Sequence, residues 1–331
     1  MRLTATLGLF LGLLLTTACG GDESISRELY ELERLAFVPA ARFKLVEYTN
    51  DPNADCSMKQ SIVMDRFEFT LRDLLHYQDA IEDQEIAAKL EARGGEAELS
   101  EAPLGFADGL LDRPVHLNYY EASELAGLRG MRIPRAKEWI HVAVGRKRLR
   151  FPWGSRLARF ANTKEIDLGR PVRVGTFENG RVEPFGCYDM LGNVWEWVAD
   201  EAPSFFPQFE VLEGDITSVM GGAFDSSLDW LYNSIDRSLC FHARTVRKDR
   251  LDPAYGARMC ADAEAYLFEK APLWGTGPEA RSRVTAVARR WAEDFVARDV
   301  LQSILEELVE KPSAPEALLW LQKGLAEAPE R

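Results

Sequence analysis

Two tryptophans flank a glutamate in the run Phe185-Gly186-Cys187-Tyr188-Asp189-Met190-Leu191-Gly192-Asn193-Val194-Trp195-Glu196-Trp197, and an aspartate precedes that glutamate by seven residues. Glycine, asparagine and aspartate inside the run favour turns. The aromatics around them favour burial. An acid framed by indoles needs a partner, because an unpaired buried carboxylate costs several kcal/mol. A hard cation is one good partner, since calcium takes carboxylates together with backbone carbonyls on irregular loops. An ordinary turn satisfied by hydrogen bonds is the other. Both predict a buried, irregular loop.

Residues 1–18 predict a targeting segment. Arg2 supplies the positive start, and Leu3 to Leu15 is apolar but too short to span a bilayer as a helix. Leu15-Thr16-Thr17-Ala18-Cys19 resembles a bacterial lipobox, with small residues before the cysteine. It predicts cleavage before Cys19 and acylation of the Cys19 thiol, so that membrane lipid is one partner and no span is needed. The expected location is the bacterial cell envelope, lipid-anchored, at the outer membrane if the cell is Gram-negative. An ordinary secretory signal with a chance cysteine is the alternative. Residues 19–36 are a tether and lead-in. Gly20 to Ser26 is small and polar, and Leu29 to Ala41 reads as a short helix entering the domain.

The charged side chains sum to −13 at pH 7, and removal of a leader takes away only Arg2. Such acidity argues against nucleic acid and against adsorption onto anionic lipid. Composition is otherwise globular. With Cys19 set aside, Cys56, Cys187, Cys240 and Cys260 remain, in a compartment that permits disulfides. Three pairings are open to four cysteines. Cys240 and Cys260 bracket a polar, basic loop and are the preferred pair. Cys187 can also be read as a buried free thiol.

Periodicity supplies a coarse map. Phe43 to Tyr48 and Ile62 to Phe69 read as strands. Thr70 is placed to cap a helix carrying Leu71, Leu74, Leu75 and Gln78. Asp79 to Leu104 is acidic and predicts an exposed insertion with one helical stretch, Glu85 to Ala92. Asn118 to Leu128 has helical spacing, and the text from Phe151 to Met259 is loop-rich. After Cys260 the pattern turns helical. Thr276-Gly277-Pro278-Glu279 and Ser313-Ala314-Pro315-Glu316 read as capping boxes. The first opens a helix carrying Val284, Val287, Trp291 and Phe295, then Leu301, Ile304, Leu305 and Leu308. The second opens one carrying Leu318, Leu321 and Leu325. These stripes must bury a face. Docking back on the domain is the simpler outcome, and a partner-binding hairpin is the other.

The aromatic run resembles the G-L-Y-D-M-x-G-N-V-W-E-W signature of the formylglycine-generating-enzyme, or sulfatase-modifying-factor, family. Further motifs follow in that family's order. Ile62-Val63-Met64-Asp65-Arg66-Phe67-Glu68-Phe69-Thr70 is similar to its early strand and turn, and Arg132-Ile133-Pro134-Arg135-Ala136-Lys137-Glu138-Trp139 to its R-L-P-T-E-A-E-W. Phe151-Pro152-Trp153-Gly154 and Ala161-Asn162 match P-W-G and A-N. Gly221-Gly222-Ala223-Phe224 stands for R-G-G-S-W, and Gly256-Ala257-Arg258 for the terminal G-F-R. The resemblance implies an α+β domain at 37–260, irregular and loop-rich with a C-type-lectin-like arrangement, followed by a helical extension at 261–331. It specifies a fold and not an activity, since one scaffold hosts many sites.

In the family's enzymes two cysteines after the R-G-G-S turn hold copper(I), which soft thiolates select. Carried onto this chain, the serine is Ala223 and the two cysteines are Ser226 and Leu231. Neither copper nor formylglycine generation is expected. His76, His116, His141 and His242 form no paired metal motif. A triad of Ser226, His242 and Asp225 carries little weight without geometry. By the same resemblance, one structural calcium ion is held by the side chains of Asp189 and Glu196 and the carbonyls of Gly192 and Val194. A second is held by the Asn162 side chain and the Thr163 carbonyl, with Asp167 a further candidate. Trp195 corresponds to a groove-lining indole. Trp195, Phe224, Ser226 and Trp230 are therefore the candidate groove for a peptide, a glycan or an envelope protein. The expected role is a binding or envelope-assembly module. The alternative is an oxidoreductase of the family acting on another substrate or with another cofactor.

Overall fold

The computed structural model describes residues 25–42, 57–82, 84–86, 88–90, 107–145, 151–200, 214–228 and 243–329. The leader, Cys19, the strand expected at Phe43 to Tyr48, and Cys56, Trp230, Leu231, Cys240 and His242 lie outside the described residues.

Ser26 caps the first helix, α1 (Arg27–Glu33), by accepting from the Leu29 amide. The lead-in does not continue as helix. Arg34 ends it, and β1 (Leu35–Val38) follows with all four residues buried. β2 (Ile62–Asp65) pairs antiparallel with β1 on one side and on the other with β7 (Cys260–Asp262), the last of the seven strands among the described residues. The strand expected to reach Phe69 stops at Asp65. There the Asp65 carboxylate takes two bonds from Arg129 (2.7 and 2.8 Å), and the chain turns away. Thr70 then caps α2 (Leu71–Tyr77) in a reciprocal pair: Asp73 accepts from the Thr70 amide, and the Thr70 hydroxyl accepts from the Asp73 amide.

Residues 84–86 and 88–90 of the acidic insertion are helical, with Lys89 paired to Glu85. Leu90 is buried in the main core, so this part of the insertion is not simply a solvated face. After α3 (Ala107–Leu111), a capping box of Asn118 and Glu121 starts α4 (Tyr119–Leu128), and α5 (Ala136–Val144) buries Trp139, Ile140, Val142, Ala143 and Val144. The second sheet joins β3 (Trp195–Trp197), β4 (Ile216–Met220), β5 (Ala243–Arg247) and β6 (Tyr255–Gly256) in the order β5-β4-β3-β6, with β3 and β6 parallel.

Four helices close the chain: α6 (Ala263–Lys270), α7 (Pro278–Trp291), α8 (Phe295–Val309) and α9 (Glu316–Ala326). The single helix expected from 276 to 308 is two. Asp294 turns its side chain onto the Val296 amide and starts α8 afresh. The expected capping boxes do not form. The N-caps are Gly277 and Pro315, neither with a side-chain cap bond. Pro278 at the first turn fixes φ without that bond.

The extension docks on the domain. Trp291 donates its indole N–H to Leu35 O (3.0 Å), its ring lies 6.0 Å from Phe37, and Arg283 pairs with Glu33 on α1. α7 and α9 touch closely at Gly324, where a Cβ would sit 2.5 Å from Thr285 O and 2.6 Å from the Ala288 methyl. One continuous apolar core runs from α1 through both sheets into these helices.

Candidate functional site

Four separated motifs converge beneath the turn at Gly192-Asn193. Both residues have positive φ (82° and 62°), and a Cβ at Gly192 would lie 2.5 Å from Asn162 O, so only glycine fits there. Asparagine tolerates the left-handed region and uses its amide as a cross-link. Asn193 Oδ1 accepts from Asn162 Nδ2 (3.0 Å) and the Val172 amide (2.9 Å), and its Nδ2 donates to Glu68. Glu68, fully buried, also accepts from the Val194 amide (3.1 Å).

The acid between the two indoles has its partner in Arg258. Arg258 Nη2 donates to Glu196 Oε1 (2.8 Å) and Nε to Oε2 (2.9 Å), while Trp139 Nε1 adds a bond to Oε2 (2.7 Å). The same guanidinium donates to the carbonyls of Asp65 (2.8 Å) and Tyr188 (2.7 Å) and is 0 % exposed. A planar five-donor group suits this, because one side chain satisfies a carboxylate and two loop carbonyls at once. Asp189 accepts from the Gly175 amide (2.7 Å). Burial pushes its carboxyl up to about 6, with the neighbouring Glu196 charge adding and Arg258 opposing. Glu68 is pushed well above the ordinary carboxylate range, by burial first and then by Asp189 and Glu196.

This geometry bears on the expected calcium sites unevenly. Three buried carboxyls, Glu68, Asp189 and Glu196, lie within electrostatic reach of Arg258, but only Glu196 hydrogen-bonds to it; a divalent cation is one group that would favour ionisation of the other two. Glu196, however, is committed to Arg258 and Trp139, which leaves Asp189 the freer acid. Around the second set, Asn162 Oδ1 is buried with no hydrogen-bond partner, as an oxygen awaiting a donor or cation would be, while the Thr163 carbonyl accepts from Ile166. Among the described residues no three His, Cys, Asp or Glu side chains form a metal-holding group, so either site would depend on carbonyl oxygens.

The turn that follows Gly221-Gly222 carries the positions matched to the copper cysteines. Ser226 Oγ accepts from the Ala223 amide (2.9 Å), its amide donates to Ala223 O, and its carbonyl accepts from Lys164. Its hydroxyl closes a turn and is almost fully buried. Phe224 is part-buried, packed on the core, and donates its amide to Asn193 O. Trp195 is only 3 % exposed, with the Arg244 guanidinium 5.9 Å from its ring. Trp195 and its β6 partner Tyr255 are both core residues, so this indole offers a groove little exposed surface. Trp230, the fourth groove residue, and Leu231 lie outside the described residues.

Cys260 is a free, buried thiol, and this corrects its expected pairing with Cys240. It lies within β7 opposite Met64, with Arg132 Nη1 3.1 Å from its sulfur. Cys187 is also free and buried, and burial pushes its thiol up to about 11. Reasoning from the sequence missed Glu68, Trp139, Asn193 and Arg258 as members of the site. All four stand inside the quoted motifs, and for Glu68 and Arg258 the signal was a charge set among apolar residues.

The sulfatase-modifying factor enzyme 1-like domain model matches residues 23–263. The chain belongs to that family. Its motifs therefore build the family's frame: an irregular α+β domain, here with helices added at the C-terminus. Among curated family relatives, hercynine oxygenase of Mycolicibacterium smegmatis is 38% identical over 106 residues, covering 29% of this chain and 24% of that protein. Formylglycine-generating enzyme of Thermomonospora curvata is 33% identical over 115 residues, covering 30% and 38%. Inactive C-alpha-formylglycine-generating enzyme 2 of Bos taurus is 29% identical over 128 residues, covering 34% and 42%. The chain thus spans less than half the length of each. Among solved structures, PvdO from Pseudomonas aeruginosa aligns at 18% identity with a TM-score of 0.48, covering 69% of this chain and 94% of that one.

Proposed function

We propose that this family member is a copper-free binding or envelope-assembly module, tethered to a membrane through lipid on Cys19. The observation that carries the first half is Ser226. It stands where the enzymes place a copper thiolate, and its hydroxyl oxygen is already committed to the Ala223 turn. A serine is a poor ligand for copper(I), and the second position, Leu231, is no ligand at all. Similarity to a mammalian protein named as an inactive formylglycine-generating enzyme agrees with a role without that chemistry. The acidic chain favours a peptide, glycan or envelope protein over nucleic acid. Structural calcium is part of the proposal, held by Asp189 and Glu196 with the Gly192 and Val194 carbonyls, and by Asn162 and Thr163. A second reading, an oxygenase acting on another substrate, draws on the similarity to hercynine oxygenase.

The test is turnover. Purified protein supplied with copper(I), oxygen and reductant should bind no stoichiometric copper and leave a cysteine-containing sulfatase peptide unoxidised. Turnover by the wild type that disappears in Ser226→Ala would overturn the proposal. Stoichiometric iron in the purified protein, with oxygen uptake, would promote the oxygenase.

A further inference from the structure

The turn at residues 223–228, which carries Ser226, is held at both ends by contacts that lead to one short stretch of chain, residues 162–165. Near its start the Phe224 amide donates to Asn193 O (3.0 Å), and the Asn193 side-chain oxygen accepts from Asn162 Nδ2 (3.0 Å). At its end Glu165 Oε1 accepts from the Ser227 hydroxyl and the Leu228 amide (2.8 Å each), while Oε2 accepts from the Thr163 hydroxyl (2.8 Å). Between these the Lys164 amide donates to Ser226 O (3.0 Å). Burial opposes the charge on Glu165. The bonds from Leu228, Thr163 and Ser227 outweigh it and hold the carboxyl below its ordinary range, so it stays an acceptor for all three donors.

The apolar support beneath the end of this turn is small. Leu228 packs with Phe151, Ala161 and Leu191 in a cluster separate from the two larger cores, and Ala161 is the residue before Asn162. A unit with few apolar contacts opens locally at low cost, so its polar bonds decide how long it stays closed. Three of those bonds run from residues 226–228 to Lys164 and Glu165. Just before them in the chain stands Asn162, whose Oδ1 is buried with no hydrogen-bond partner. A cation on that oxygen would fix Asn162, and with it the backbone that presents Thr163, Lys164 and Glu165 to the turn.

We propose that Glu165 is a positioning residue that couples a cation at Asn162 to the turn of Ser226, so that the cation sets one wall of the proposed groove. This rests on the calcium reading above and gives that ion a role at the groove as well as in stability. Linkage makes the coupling reciprocal: a cation that closes the turn is itself bound more tightly when the turn is closed.

Amide hydrogen exchange of the full-length protein, with and without calcium, reads the coupling. Saturating calcium should slow exchange of the Ser226 and Leu228 amides roughly fivefold or more relative to amides of α7, the lower end of ordinary coupling between sites. Glu165→Ala should lose that difference while still binding calcium, and should bind it more weakly by about the same factor. Glu165→Gln should keep both, because its side-chain oxygen still accepts from Ser227 and Leu228 while its amide faces Thr163. A carboxylate that held the cation directly would instead lose most of the affinity in Glu165→Gln, and that result overturns the positioning role. Isothermal titration of calcium separates the remaining failures. No calcium bound by the wild type overturns the calcium reading and the coupling with it. Calcium bound with no change at Leu228, or with an undiminished change in Glu165→Ala, leaves that reading standing and sinks the coupling alone. Should Glu165→Ala fail to fold, Ser227→Ala takes its place. It removes one of the two bonds on Oε1 and should lose part of the difference, and an undiminished difference there counts equally against the coupling.

Discussion

Arg258 and Glu196 are both fully buried, and each would be left charged without the other. Removing one partner of such a pair costs about 3–5 kcal/mol, far more than the net worth of the pair against an apolar replacement. Arg258→Met should therefore lower unfolding free energy by roughly that amount in a urea titration, and Glu196→Gln/Arg258→Met should cost less than the two single changes added together. A double variant that is simply additive would show that the two side chains do not act as a unit. Ser226 sits at the other extreme. Ser226→Ala loses one turn bond and should cost about 1 kcal/mol. Ser226→Cys should gain no tight copper(I) binding, because the second position is Leu231, which supplies no thiolate, and a soft two-coordinate site stays half built. Copper titration with a chelating competitor reads this directly.

At the level of elements, the C-terminal helices complete the core rather than hanging from it. Trp291 closes α7 over β1, filling space beside Phe37 and satisfying Leu35 O. Trp291→Ala should cost about 3–5 kcal/mol, as large-to-small changes at buried aromatics do. Phe295, at the start of α8, is 73 % exposed, and Phe295→Ser should stay within about 0.5 kcal/mol of wild type. Equal losses at the two positions in chemical denaturation would mean that the docking does not hold in solution. Arg132 works at the same scale. It bridges Glu138 at the start of α5 to Asp262 at the end of β7, and so ties helix to sheet near the Trp139–Glu196 contact.

The whole molecule carries net negative charge, and in the buried cluster of Glu68, Asp189, Glu196 and Arg258 acidic groups likewise outnumber basic ones. If calcium occupies that cluster as proposed, a chelator should lower the melting temperature, because binding to the native state stabilises by mass action. Asp189→Asn should remove the sensitivity. A melting curve indifferent to chelator, with no calcium by elemental analysis, would leave Arg258 as the cluster's counter-charge. For the proposed anchor, Cys19→Ala should move the protein from the membrane fraction to the soluble fraction, and mass spectrometry of the wild type should find acyl chains on Cys19. Retention of the variant after a high-salt wash would count against lipidation. No helix among the described residues is long and apolar enough to cross a membrane.

The family frame and most of its helices were legible in the sequence because their causes are local. Turn residues such as Gly192 and Asn193, the Thr70 cap and the spacing of Val284, Val287 and Trp291 act through neighbours a few positions away. Helix boundaries were less so: Asp294 restarts α8 through a single side-chain bond that periodicity does not register. The sequence by itself determined that an acid between two indoles must be paired. Only the tertiary structure decided that the partner is Arg258, 62 positions along the chain. The same holds for Cys260, whose place inside β7 leaves it a free thiol, and for Trp195, a core residue paired with Tyr255 of β6. Burial makes an unpaired charge costly wherever it occurs, but which opposite charge arrives depends on how distant segments pack, and no run of neighbouring residues encodes that.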